Sequence, residues 1–399
     1  MKPLSFEIRN SVLTTMADKI ERNASFILDC NQQDLNSLVE PDSTIYDRLV
    51  LDSSKIALMA KALRNVASQD DPIGKVLDKN DLPNGLVVIN QTVPFGTIFI
   101  IYESRPDVTI EAASLGFKAG NRILLKGGKE SFQSNKALIS CWKESLNDCG
   151  VSDNWIELFD FNREQTQAFL QNPDTKLDLV VPRGGETLIA FVKKYAICPV
   201  IVSGRGNNFA YISEDADWQK VKNVILNAKT QKVSACNALD KILIDQNVPS
   251  LKTRLTSLID LLQENNVQVE YDNDEGLPVK GVSPITGKEV WSEEFLALRI
   301  AIKVIDGLDD AIEFINRYSG GHSAVIFTEN DTRASTFMDM VDCGAVYQNA
   351  STRFTDGGQL GIGAELAIST DKLHHRGPLG LANLVTNKYY IFGNGQTRE

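Results

Sequence analysis

The chain has 399 residues, 43% of them hydrophobic and 23% charged. That is the composition of a folded globular protein of about two or three domains, and it excludes disorder, collagen and coiled coil as the dominant character. Acidic residues outnumber basic ones by 52 to 41, a formal charge of -11, which argues against general nucleic-acid binding but leaves room for a local basic pocket that takes a small anion.

Residues 1–70 read as helices. Ile8, Val12, Met16 and Ile20 recur at helical spacing, as do Ile56, Met59, Leu63 and Val66, and Asp52 or Ser53 stands where the second of these would be capped. Near Leu82 the texture changes, and residues 85–93 and 97–102 read as strands around the turn Pro94-Phe95-Gly96. A strong alternation follows: helix 107–119 stopped by Gly120, strand 122–126, helix 131–149 stopped by Gly150, strand 155–159, helix 163–171, strand 177–181, helix 185–196 and strand 199–202. Short strands alternating with longer helices predict βαβ units and a parallel sheet, with ligands beyond the carboxyl ends of its strands. After Asp215 a helix runs to about Lys229. A second alternation then begins: strand 238–245, helix 250–265, strands 267–271 and 298–304, helix 309–318, strand 324–328, helix 332–342 and strand 345–349. This predicts a second α/β domain, with the boundary near 228–236. A Gly-rich loop and a lone strand, 384–392, close the chain. That strand needs a partner, either another subunit or the 85–93 strand.

The six cysteines, Cys30, Cys141, Cys149, Cys198, Cys236 and Cys343, form no CxxC pair, which favours a reducing compartment over a disulfide framework. No apolar run approaches a membrane span, and the amino terminus lacks an apolar signal core, so a cytoplasmic protein without membrane contact is expected. The histidines, His322, His374 and His375, have no metal-ligand spacing, and no metal is expected. No GxGxxG follows a strand, since Gly361-Ile362-Gly363 lacks the third glycine. Residues 281–288 are one residue too long for a phosphate loop.

Three segments stand out. Glu103-Ser104-Arg105-Pro106-Asp107 follows a strand and opens a helix, where Arg105 would meet an anion at the helix amino terminus or simply pair with Glu103 or Asp107. Lys126-Gly127-Gly128-Lys129 and Pro182-Arg183-Gly184-Gly185 each join a strand to a helix and combine a cation with glycines. That combination suits a phosphate, because glycine admits close backbone approach; two ordinary βα turns are the alternative. Ser234-Ala235-Cys236-Asn237 lies at the expected domain junction, after Lys229 and Lys232. A thiol beside cations is an activated nucleophile; a buried packing cysteine is the alternative.

Together these segments resemble the gamma-glutamyl phosphate reductase family of the aldehyde dehydrogenase superfamily. The resemblance is strongest over 102–131, 178–196, 293–329 and 349–381. It implies an aldehyde dehydrogenase-like α/β fold of two domains with parallel-type sheets and a small oligomerisation arm. The nucleotide-binding domain would be 1–83 and 92–228, the catalytic domain 229–377, and the arm 84–91 and 378–399. It implies NADPH, with Lys126, Gly127, Gly128, Arg183, Gly184 and Gly185 on its ribose and phosphates and Glu294 on the nicotinamide ribose. Cys236-Asn237-Ala238 matches the family's nucleophile motif, with Cys236 and Asn237 as catalytic residues. Arg105, Ser351, Thr352, Arg353, Lys372 and Arg376 are the candidates for the substrate's phosphate and carboxylate.

The implied reaction is reduction of L-glutamate 5-phosphate to the 5-semialdehyde through a Cys236 thioester, with release of phosphate, in proline biosynthesis. A homo-oligomer, such as a dimer, is implied as well. The place where the superfamily keeps a carboxylate base lies near 202–204, where this chain has no acid, and this favours acyl-phosphate chemistry over hydrolysis. Two departures keep other readings open. Lys232-Val233-Ser234-Ala235 replaces the usual Arg-Pro-Gly-Val, and 202–209 lacks the usual histidine-containing stretch. The alternatives are a cysteine-dependent acyl transferase or hydrolase without nicotinamide, and a non-catalytic homologue.

Overall fold

The structure, a computed structural model, describes residues 3–38, 43–272, 281–372 and 375–398. His374 therefore lies outside the described residues. The chain divides into two compact units, Met1–Val202 with Ile362–Ala367 and Leu379–Glu399, and Ser203–Gly361 with Ile368–Pro378.

The first unit is built on a four-stranded parallel sheet, ordered Ile156–Leu158, Arg122–Lys126, Thr97–Tyr102, Leu179–Arg183. After Thr97 the strand TIFIIY is buried and mostly apolar because both faces are covered. Ile98, Ile100 and Tyr102 join one core with Val12, Met16, Leu63, Leu115 and Trp142. Phe99 and Ile101 join the other with Leu124, Phe169 and Val192. Each fully buried side chain of this size contributes about 1.5–3 kcal/mol. The helical periodicity of the first seventy residues is that of Phe6–Arg22 and Ser53–Ser68, which bury the predicted faces except for Ile8, which is exposed. The second helix is capped by Asp52, whose carboxylate accepts from Lys55 N at 2.7 Å.

A separate three-stranded antiparallel sheet joins Val76–Asp81, Val87–Pro94 and Val385–Phe392. The late strand thus pairs with the early one, Val385 opposite Pro94 and Phe392 opposite Val87. The strand Val76–Asp81 carries no sequence signal, since every residue in it is exposed and its side chains show no alternation.

The second unit is built on a seven-stranded parallel sheet, ordered Ser283–Pro284, Gln268–Asp272, Arg299–Ile305, Leu239–Asp245, Asn208–Ile212, Ser323–Phe327, Ala345–Gln348. Here the structure departs from the sequence reading. Asn208–Ile212 and the helix Trp218–Thr230 belong to this unit, so the division falls at Val202 rather than near 228–236. All five residues of Asn208–Ile212 are buried, which hides the strand from any alternation test. Residues 199–202 form only an isolated bridge, Val180 with Val200, beside a proline that lacks a ladder donor. Among the described residues no helix is long and apolar enough to cross a membrane.

Candidate active site

In the four-stranded sheet the chain moves from Thr97–Tyr102 outward to Arg122–Lys126, then returns to the other side of the central strand as Leu179–Arg183. That reversal is a topological switch point, and the segments of interest sit at its carboxyl edge. Tyr102 leads into Glu103, Lys126 into Gly127-Gly128, and Arg183 into Gly184-Gly185. Lys126 is half-buried, and burial holds its ammonium below the ordinary lysine range against the pull of Glu130 and Asp160. Arg183 stands 4.0 Å from Glu111, and its buried Nε has no hydrogen-bond partner among the described residues. The amino end of the helix Glu186–Tyr195 already holds a carboxylate, since Glu103 Oε1 accepts from Gly185 N at 2.7 Å. A Cβ on Gly184 would fall 2.6 Å from that carboxylate's oxygen, so a side chain there would displace Glu103. An orphaned guanidinium nitrogen, a half-buried ammonium and two glycine turns on one sheet edge fit a phosphate-bearing ligand. Glu103 is the residue here that the sequence did not single out for a role of its own.

In the second unit the site gathers at the amino ends of the strands, not at the carboxyl ends expected from the α/β pattern. Cys236 lies on a turn just before Leu239–Asp245 and is half-buried. Three side chains pin that turn. Asn208 donates to Cys236 O at 2.8 Å and to Ala238 O at 2.7 Å. Thr352 Oγ1 donates to Asn237 O at 2.8 Å. Asn237 Nδ2 donates to Arg353 O at 3.2 Å and to Thr355 O at 2.9 Å. Both amide hydrogens of Asn237 are thereby spent, so its side chain shapes the turn instead of offering a donor to an oxyanion. Gly206 lies directly under the turn, where a Cβ would fall 2.5 Å from the Cys236 carbonyl carbon. The Gly206 N–H is given to the Glu294 carboxylate. Burial pushes the Glu294 carboxyl up, opposed by that bond and by Arg205 and Lys241.

The cations sort themselves. Arg353 is a cation whose charge interacts with Cys236. Burial lowers its pKa while the sulfur, as thiolate, and Asp356 raise it. Its Nε donates to Gln231 at 2.8 Å, and its buried Nη1 has no hydrogen-bond partner among the described residues. Lys229, expected to act on the thiol, is fully buried and bound to Asp240 at 2.7 Å; Lys232 is exposed. Lys372 and Arg376 are both held by Asp342, at 2.8 and 2.5 Å, and Arg376 also donates to Thr370 O and Asp342 O. Arg105 pairs with Asp107 at 2.9 Å on the surface. Ser351 Oγ donates to Asn227 at 2.9 Å. Of the six substrate candidates, Arg353 brings its charge to the thiol, and Thr352 serves its turn.

Four of the other thiols are less apt nucleophiles. Cys30, Cys141 and Cys343 are buried, and burial raises the pKa of each, to about 11 for Cys141 and Cys343. Burial also raises Cys198.

Known proteins resemble this chain over nearly its whole length. The aldehyde dehydrogenase family model matches residues 284–364. Gamma-glutamyl phosphate reductase of Enterococcus faecalis is 43% identical over 98% of this chain and 94% of its own length. The enzyme of that name from Caldicellulosiruptor bescii is 41% identical over 99% and 95%. The crystal structure of gamma-glutamyl phosphate reductase from Thermotoga maritima superposes with a TM-score of 0.95 at 39% identity, covering 99% of this chain and 95% of that one. An acetylating aldehyde dehydrogenase from Geobacillus thermoglucosidasius shares the fold, with a TM-score of 0.69 at 16% identity over 99% and 94%.

Proposed function

The chain belongs to the gamma-glutamyl phosphate reductase family, oxidoreductases of the aldehyde dehydrogenase fold, and from that premise we propose that it reduces L-glutamate 5-phosphate to L-glutamate 5-semialdehyde with NADPH, releasing phosphate, as a step of proline biosynthesis. The observation that carries the reading is the Cys236 turn, with its sulfur in the field of Arg353 and its backbone fixed by Asn208, Asn237 and Thr352.

The Cys236 thiolate attacks the acyl carbon, and the carbonyl electron pair moves onto oxygen. Backbone N–H groups of the turn hold that oxyanion. The unpartnered Nη1 of Arg353 takes the phosphate oxygen as the C–O bond breaks and phosphate leaves, giving the thioester. Splitting the reaction into two easier steps is the gain from a covalent intermediate. NADPH, when bound, supplies the hydride that reduces the thioester carbonyl. The C–S bond of the resulting hemithioacetal then breaks, returning the thiolate and releasing the aldehyde. Lys126, Arg183 and the Gly127-Gly128 and Gly184-Gly185 turns would hold the cofactor's phosphates, with Glu103 yielding the Gly185 N–H to them. Glu294 takes the nicotinamide ribose.

Hydrolysis of the thioester needs a base for water, and the 202–204 segment supplies none: it reads Val202-Ser203-Gly204, and a Cβ on Gly204 would press on Thr370. The three-stranded sheet carries exposed Leu77, Tyr389, Ile391 and Phe392, which supports assembly of a homo-oligomer through this arm.

The test is the reverse reaction: glutamate semialdehyde, in equilibrium with its cyclised pyrroline form, is supplied with NADP and phosphate. Cofactor reduction that turns over only with phosphate is the expected result. Turnover that ignores phosphate would make the protein a hydrolytic dehydrogenase, and no cofactor reduction at all would favour an acyl transferase.

A further inference from the structure

Lys241 is fully buried in the strand Leu239–Asp245, a costly place for an ammonium that an apolar side chain would fill more cheaply. Its contacts converge on one tripeptide. Lys241 Nζ donates to Glu293 O at 2.9 Å and stands 3.3 Å from the centre of the Phe295 ring. Next to it, Asp240 uses one carboxylate oxygen to accept Phe295 N at 2.7 Å and the other to hold Lys229 at 2.7 Å. Arg299 lies over the same ring at 4.0 Å, and holds Glu293 at 3.1 Å and Glu270 at 2.6 Å. Glu294 is the residue between these two anchors, and Lys241 is among the charges that act on it.

We propose that Lys241 is a positioning residue for cofactor binding: by holding the Glu293 carbonyl and the Phe295 ring it fixes the backbone on both sides of Glu294, so that the carboxylate meets the ribose hydroxyls already oriented. This rests on the nicotinamide-ribose role proposed for Glu294. A carboxylate held in place before the ligand arrives avoids the ordering cost that a mobile loop would carry. The groups facing Lys241 are Asp240 on its own strand, Lys229 on the helix Trp218–Thr230, Glu293 and Glu294 on the loop, and Arg299 on the strand Arg299–Ile305. Burial dominates over them and lowers the Lys241 pKa to about 7. The ammonium, and with it the stronger hold on the carbonyl and the ring, is present below that pH and lost above it.

The experiment measures NADPH affinity by fluorescence in the parent, Lys241→Met and Lys241→Arg, together with the rate of Cys236 alkylation without cofactor. The Met variant is expected to bind NADPH about tenfold more weakly and the Arg variant within about threefold of the parent, with alkylation unchanged in both. Between pH 6 and 8, roughly a unit either side of that value, the parent's affinity is expected to fall as pH rises, with the step absent from the Arg variant. A folded Met variant that binds NADPH like the parent overturns the proposal. So does a loss of affinity that Arg fails to rescue and that alkylation shares, because that is a purely structural role. Should the Met variant not fold, Phe295→Leu removes the ring with the lysine in place; it is expected to weaken NADPH binding, and parental affinity there overturns the proposal. Failure of the parent itself to bind NADPH refutes the reading of Glu294 before any variant is compared.

Discussion

Gly206→Ala should disable the nucleophile through space alone. The Gly206 backbone lies so close beneath the Cys236 turn that a Cβ would fall 2.5 Å from the Cys236 carbonyl carbon, and closer still to its oxygen and Cα. Real Cβ atoms keep at least 3.0 Å from such neighbours, and backbone atoms, unlike a side-chain tip, cannot swing aside. The turn must therefore retreat by something on the order of 1 Å, against the bonds from Asn208 and Thr352 that fix it, and a displacement of that size at a reacting atom costs roughly 100-fold in rate. The assay follows phosphate-dependent cofactor reduction together with iodoacetamide labelling of Cys236, and circular dichroism establishes that the variant is folded. Gly344→Ala is the control: its Cβ would meet backbone atoms at 3.4 and 3.5 Å, ordinary contact, and its activity should stay within about twofold of the parent, as for most substitutions outside such constraints. Gly206→Ala turning over within a few-fold of the parent would refute the placement of the turn.

Arg353→Met removes the cation whose field reaches Cys236; alkylation of the thiol at pH 7 should slow by about tenfold, a loss equal to one pKa unit. An unchanged rate would show that the guanidinium does not favour the thiolate. His322 is fully buried, and burial pushes its pKa down to about 4. The unfolded chain takes up a proton near the ordinary histidine value of about 6.5 and the folded one does so only lower, so stability is lost as pH falls between these two values, by about 3 kcal/mol. Urea unfolding of the parent and His322→Gln at pH 7 and pH 5 reads this as an acid sensitivity that the variant lacks in part; equal sensitivity in both would remove His322 from the account.

The two α/β units were legible because their strands are short, apolar and separated by helices with a clear 3.6-residue period. The carboxyl-edge turns at Lys126 and Arg183 were legible for the same reason, since each closes a recognisable βα step. The strand Asn208–Ile212 escaped notice because it is buried on both faces and follows a segment without pattern, and its loss displaced the domain boundary. The Cys236 motif could be read, but its surroundings could not. Lys229 looked like the activating cation because it is near in sequence, yet it faces Asp240, while Arg353 arrives from more than a hundred residues away. Asn237 is a catalytic residue by the resemblance, but both its side-chain amide hydrogens are committed to the segment that carries Arg353. Lys241 had no signal at all: a lysine in an apolar strand reads as an exception until its partners on the Glu293–Phe295 loop are seen.

The account stands on the acyl group passing through the sulfur of Cys236, and a single turnover without phosphate measures that most directly. Mixed with glutamate semialdehyde and NADP, the parent should release a burst of reduced cofactor equal to the enzyme present and then stall, and mass spectrometry of the quenched protein should find a glutamyl group on the Cys236 peptide. Cys236→Ala should give neither. A burst that survives in Cys236→Ala, or a glutamyl group found on any other residue, would contradict it.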